Sequence, residues 1–108
     1  MRSINRVMDD LSLKLACSVR EGMQLSVLQS SDIISDTRDK WKQIGKKYNS
    51  ISTVIIANCV LRSFELNSKE QMQDYVDIFA NEKLIGFCSY GEAFIGHMNH
   101  STTFLILE

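Results

Sequence analysis

Two short stretches hold most of the side chains able to do chemistry. Asn58-Cys59-Val60-Leu61-Arg62 closes an apolar run that begins at Thr53, and Ser89-Tyr90-Gly91-Glu92 closes another that begins at Lys83. A guanidinium grips a carboxylate through two parallel N–H···O bonds, and a primary amide offers both donor and acceptor. Asn58 and Arg62, four residues apart at the end of one strand, are expected to aim both groups into one pocket. The alternative for Arg62 is an ion pair with a structural acid, Glu65 or Glu92. Tyr90 adds a hydroxyl, and Gly91 permits a turn or a close backbone approach by a ligand. Glu92 suits an ammonium or a hydroxyl; its alternative is an exposed loop acid.

His97, Asn99, His100, Ser101 and Thr102 form a third cluster. Imidazoles three residues apart can reach one metal, and either can act as an axial ligand to haem iron. The alternative is loop polarity, with Asn99 and Thr102 satisfying turn backbone. A metal held by Cys59, Cys88, His97 and His100 is disfavoured, because no close cysteine spacing is present. The chain has no G-x-S-x-G, no phosphate-binding glycine loop and no H-E-x-x-H. No serine or cysteine has a histidine partner at a recognisable spacing. A binding domain is expected rather than an enzyme, with no cofactor required.

The elements that must position these groups follow from period. Leu11, Leu13, Leu15 and Cys17 alternate with polar or small residues, and so do Met23, Leu25 and Val27, which reads as two strands joined at Arg20-Glu21-Gly22. Ser30-Ser31-Asp32 opens a helix whose face is Ile34, Thr37, Trp41, Ile44 and Tyr48. Thr53–Leu61 and Leu84–Tyr90 are apolar on both parities, the pattern of strands covered on both faces, and are expected side by side at the centre of a sheet. Ser68 with Gln71 fits a capping box for a second helix carrying Met72, Tyr75, Val76 and Phe79 and ending near Asn81. Gly91–Asn99 reads as a loop and Thr102–Leu107 as the last strand. The expected fold is α+β, in the order β-β-α-β-α-β-β, with a mixed five-stranded sheet and two helices packed on it. Two helices cover one face of such a sheet. The other then calls for a partner domain or a second copy, as in a homodimer.

Composition bounds the rest. The chain has 108 residues, 44% hydrophobic and 23% charged, with a net charge of −1. That is one modest core, without the basic excess that nucleic acid or an anionic membrane would attract. Lys40, Lys42, Lys46 and Lys47 share a helix with Asp36 and Asp39 and read as a solvated face. No apolar run approaches the roughly 20 residues of a membrane span. The start, MRSINRVMDD, lacks the features of a secretory signal. Three cysteines, Cys17, Cys59 and Cys88, lie in apolar contexts and read as small buried hydrophobes of a cytoplasmic protein. The chain reads as a single domain over 1–108, begun so close to its first strand that it looks cut from a longer protein.

Three blocks together resemble the FIST C domain, the C-terminal half of the FIST sensory module of bacterial signalling proteins. They are Asn58-Cys59-Val60-Leu61-Arg62, Gly86-Phe87-Cys88-Ser89-Tyr90-Gly91-Glu92 and His97-Met98-Asn99-His100-Ser101-Thr102. In the third block the threonine stands one place later than in the family pattern. Arg2 and Val19–Gly22 resemble the start of that domain. The resemblance implies a ligand-binding sensory domain for a small molecule, such as an amino acid. It would work beside a FIST N-terminal half and a signalling output domain or kinase. Carried onto this sequence, the ligand-binding residues are Asn58, Arg62, Tyr90, Glu92, Asn99 and Thr102. Some FIST proteins resemble haem-based nitric oxide sensors, which implies haem on His97 or His100 as the alternative.

Overall fold

The central strand of the sheet is the least exposed. In a computed structural model, which describes residues 1–108 apart from the Phe94 side chain, Thr53–Cys59 forms a strand (β3) with every second residue buried. Val54 and Ile56 face the helices and are almost fully buried. β3 pairs in parallel with Leu84–Ser89 (β4) and antiparallel with Thr102–Leu107 (β7), giving a mixed sheet of order β4-β3-β7. Register places Phe104 opposite Ile56 and Ile106 opposite Val54, so one apolar face runs across both strands.

Three helices cover that face. The first, Ile33–Lys47 (α1), starts where Asp32 accepts a hydrogen bond from the Ser35 N–H at 3.0 Å, an N-cap that satisfies an otherwise orphaned donor. Its inward residues are those of the periodic stripe, with Ile34 and Thr37 buried and Trp41 half-buried. Val60–Ser68 (α2) follows β3 without a break, and Met72–Asp77 (α3) follows a short turn. Ile33, Ile34, Val54, Ile56, Leu66, Tyr75 and Phe79 form the core. Trp41 and Phe79 meet edge to face at 5.1 Å, and Phe104 closes against both. Burial of each large side chain contributes about 1.5–3 kcal/mol, so these few residues dominate the stability.

The sheet arrangement corrects the expected one. The largest sheet has three strands, not five, and two small hairpins stand apart from it. The element order is β-β-α-β-α-α-β-β-β-β. Leu13–Leu15 (β2) pairs with the preceding Ile4–Val7 (β1), not with Met23–Val27. The reason is local: Asp10 Oδ1 accepts from the Ser12 N–H at 3.0 Å and closes a tight turn ahead of the strand. Gly22 does adopt a turn, at φ +78°, but the chain beyond it is irregular up to α1. Residues 91–99 are not a simple loop, since Glu92–Phe94 (β5) and Gly96–Met98 (β6) form a hairpin.

Two further expectations fail. β4 does pair with β3, but it lies at the sheet edge and is exposed along nearly its whole length. Its apolar composition had suggested cover on both faces. The Ser68–Gln71 capping box does not form: Ser68 ends α2, where its hydroxyl donates to the Glu65 carbonyl, and Gln71 precedes α3 without a side-chain cap. Among the cysteines Cys59 is buried, Cys17 is half-buried and Cys88 is exposed.

Residues 1–32 contribute no buried residue. The radius of gyration is accordingly 15.8 Å, against about 13 Å for a fully packed domain of this length. Four hydrogen bonds tie this arm to the turn at His97–His100: Arg2 to the His97 carbonyl, Asn99 N–H to the Met1 carbonyl, Ser3 to the His100 ring, and Cys17 to the Asn99 side chain. Among the described residues, no helix is long and apolar enough to cross a membrane.

Candidate functional site

The polar residues at the ends of β3 and β7 form one internal knot. The Asn58 carboxamide is 8% exposed. Its Oδ1 accepts from Thr102 Oγ1 at 2.6 Å, from Arg62 Nε at 3.1 Å and from the Tyr75 hydroxyl at 3.4 Å. Its Nδ2 donates to Ser63 Oγ at 3.0 Å, and Ser63 touches the Cys88 sulfur at 3.2 Å. Arg62 Nη2 donates to Thr37 Oγ1 at 2.9 Å, whose own hydroxyl donates to the Ile33 carbonyl. The Arg62 guanidinium also lies over the Tyr75 ring, at 5.9 Å. One amide thus links β3, β4, β7 and all three helices. Arg62 and Asn58 meet as expected, but not as neighbours on a regular strand. The strand ends at Cys59, and helix α2 turns Arg62 back onto the amide. Neither Glu65 nor Glu92 is its partner.

A second cluster surrounds the turn between β6 and β7. Glu92 is 9% exposed, and its two carboxylate oxygens accept from the Ser89 and Ser101 hydroxyls. It is therefore a turn-binding acid rather than an exposed one. Asn99 is 2% exposed, accepts from the Cys17 thiol at 2.8 Å and hydrogen-bonds His97 Nε2 at 3.1 Å. Gly91 backs directly onto the His97 ring. A Cβ there would lie 2.6 Å from the ring and 2.7 Å from the Met98 carbonyl, at a φ of +134° that favours glycine.

The two histidines go separate ways. His100 sits at φ +60°, with Nε2 on Glu65 Oε2 at 2.6 Å and Nδ1 3.5 Å from the Ser3 hydroxyl. Lys69 also bonds Glu65, at 2.5 Å. The ammonium and the imidazole together hold the Glu65 carboxyl below its ordinary value. Among the described residues, no group of three or more His, Cys, Asp or Glu is placed to hold a metal ion.

His97 instead borders a cleft of about 680 Å³. The N-terminal arm supplies one wall, through Arg2, Asn5, Cys17 and neighbours. The start of α2 supplies an apolar wall, Val60, Leu61 and Phe64, and Tyr90, His97 and Asn99 complete it. Of the residues singled out from sequence, Tyr90 and Asn99 line this cleft. Asn58, Arg62, Thr102 and Glu92 do not line it: the first three meet in the knot, and Glu92 holds the Ser89 and Ser101 hydroxyls. Sequence reasoning passed over Thr37, Ser63, Arg2 and Cys17 as site residues. Thr37 had a signal, a hydroxyl on an otherwise apolar helix stripe. Arg2 and Cys17 had none, since each meets its partner more than eighty residues away.

Comparison with protein families gives a match over residues 1–95, to the FIST C domain. No curated protein and no solved structure matches the chain.

Proposed function

The chain belongs to the FIST C domain family, and from that premise we propose that it is the ligand-binding part of a bacterial signal-transduction protein. The ligand is a small organic acid such as an amino acid, and the output passes to an attached domain or partner kinase in the cytoplasm. The observation that carries this reading is the cleft, which combines an apolar wall with converging polar groups, as small-molecule sites do. The Arg2 guanidinium at its rim suits a carboxylate. Asn99, His97 and Tyr90 offer directional hydrogen bonds, and Leu61 and Phe64 take the apolar part. In this reading the Asn58–Arg62–Thr102 knot positions the first turn of α2, and Glu92 positions Tyr90. No step of chemistry is required, so the domain acts by binding alone.

The test is calorimetry with a panel of amino acids and small carboxylates. A member of the panel should bind, and Arg2→Ala should weaken it by about tenfold, or ~1.4 kcal/mol. No heat from any member, with the fold intact by circular dichroism, sinks the reading.

One observation favours a second reading, haem on His97: that ring borders the cleft. The residues fit it poorly. Nε2 of His97 already bonds Asn99, and Nε2 of His100 bonds Glu65, so axial ligation through either first breaks a hydrogen bond. Reconstitution with haemin decides. Absence of a Soret band that shifts in His97→Ala removes this reading.

A further inference from the structure

Two segments of the chain are left with open backbone and exposed apolar side chains, and they complement each other. The first is 23–28. Met23, Leu25 and Val27 alternate with Gln24 and Ser26, the period of a strand, yet the segment lies in no sheet. Leu25 is 59% exposed and Val27 100%. Among the described residues, none of 24–31 takes part in a backbone–backbone hydrogen bond.

The second is the outer edge of β4. The Val54 N–H donates to the Lys83 carbonyl, which sets the phase of the parallel ladder. Alternation then turns the N–H groups of Ile85, Phe87 and Ser89 toward β3 and those of Leu84, Gly86 and Cys88 outward. No strand lies beyond them. Ile85 and Phe87 are 63% and 61% exposed on the face away from the helices. Soluble proteins usually blunt such an edge with a charge, a proline or a bulge. Leu84–Ser89 has no charge and no proline, and its register against β3 is unbroken.

We propose that residues 23–28 of one copy add as a strand, parallel to β4, to the β4 edge of a second copy, and reciprocally, forming a two-fold dimer with two four-stranded sheets. The lengths match, at six residues each. Neither segment carries a charge, so nothing repels, and each supplies the backbone partners the other lacks. Backbone pairing gives the affinity and alternate side chains give the register. Met23, Leu25 and Val27 extend the Ile85–Phe87 face, while Gln24 and Ser26 fall on the side of Gly86 and Cys88. An isologous exchange closes after two copies and leaves no free edge on β4.

Sedimentation velocity of the full chain over a concentration series tests this. The wild type should form a dimer. Val27→Pro removes a donor from a side chain and backbone that touch nothing, and Phe87→Lys places a charge on the acceptor edge. Each variant alone should sediment as a monomer and stay folded by circular dichroism, with a thermal transition that no longer depends on protein concentration. Mixing the two should restore a dimer, because one brings an intact edge and the other an intact donor. In the wild-type dimer the Leu84, Gly86 and Cys88 amides should exchange slowly. A wild type that stays monomeric overturns the proposal. So does a dimer that survives either substitution, or a mixture that stays monomeric.

Discussion

Replacing Asn58 by leucine keeps the volume of the side chain and removes its hydrogen-bonding. The loss can be worked from the contacts. Thr102, Arg62 and Tyr75 lose their shared acceptor, and Ser63 loses its donor. Tyr75 and Ser63 are 6% and 8% exposed, so water cannot replace the amide for them. Each buried group left without a partner costs roughly 1–3 kcal/mol. Arg62 keeps Thr37, Ser63 keeps the Cys88 sulfur, and Thr102 is half-buried, so these three add less than Tyr75. The total is about 3–5 kcal/mol, a large share of the ~5–15 kcal/mol that holds a domain folded. Asn58→Asp is the control. It keeps the Oδ1 acceptor, replaces the Nδ2 donor by an oxygen to which the Ser63 hydroxyl can donate, and sets a negative charge beside Arg62, so it should lose less than half as much. Urea unfolding, followed by circular dichroism and by the fluorescence of the single tryptophan, Trp41, measures both. A double-mutant cycle with Arg62→Leu should show positive coupling, because removing both partners strands fewer groups. If Asn58→Leu unfolds within about 1 kcal/mol of wild type, the knot is not what joins the sheet to its helices.

Gly91→Ala forces a methyl group against the His97 ring and the Met98 carbonyl at a φ that disfavours alanine. It should destabilise by about 2–4 kcal/mol and shift the His97 ring resonances; a change under about 0.5 kcal/mol in urea would count against the close approach. Glu65, held low by Lys69 and His100, is the pH-sensitive link to the 97–100 turn. A carboxyl lowered in the folded state gives stability that is present above its unfolded value and lost as pH falls through the folded one. Urea midpoints of wild type should therefore drop on acidification below the usual glutamate range, and those of Glu65→Gln should drop less; parallel curves would refute the pairing.

Period carried the sequence reading wherever it was strong. The α1 stripe, its Asp32 start, the side-by-side pairing of β3 with β4 and the final strand were all legible. The place of β4 at the edge was not, because an apolar run reports what a segment is made of and not how many neighbours cover it. The strand expected at Met23–Val27 has the right alternation but no partner within the chain, while an Asp-anchored turn drew β2 to residues before it. Arg62 and Asn58 were paired on strand logic, and a helix brought them together. The spacing of four survives that error, since the helix turns the guanidinium back over the end of the strand. Glu92 was legible as a polar group near the site but not as one already occupied, because its two serine partners lie on different sides of a hairpin that period does not reveal.

The arm formed by residues 1–32 has no share in the hydrophobic interior, yet it builds one whole side of the cleft. A small molecule bound there, as proposed, touches both this arm and the body that carries α2. Its binding energy therefore adds directly to the docking of the arm, and tighter docking in turn strengthens its hold. In the proposed reading, occupancy of the cleft sets the position of the amino-terminal third without rearranging the interior.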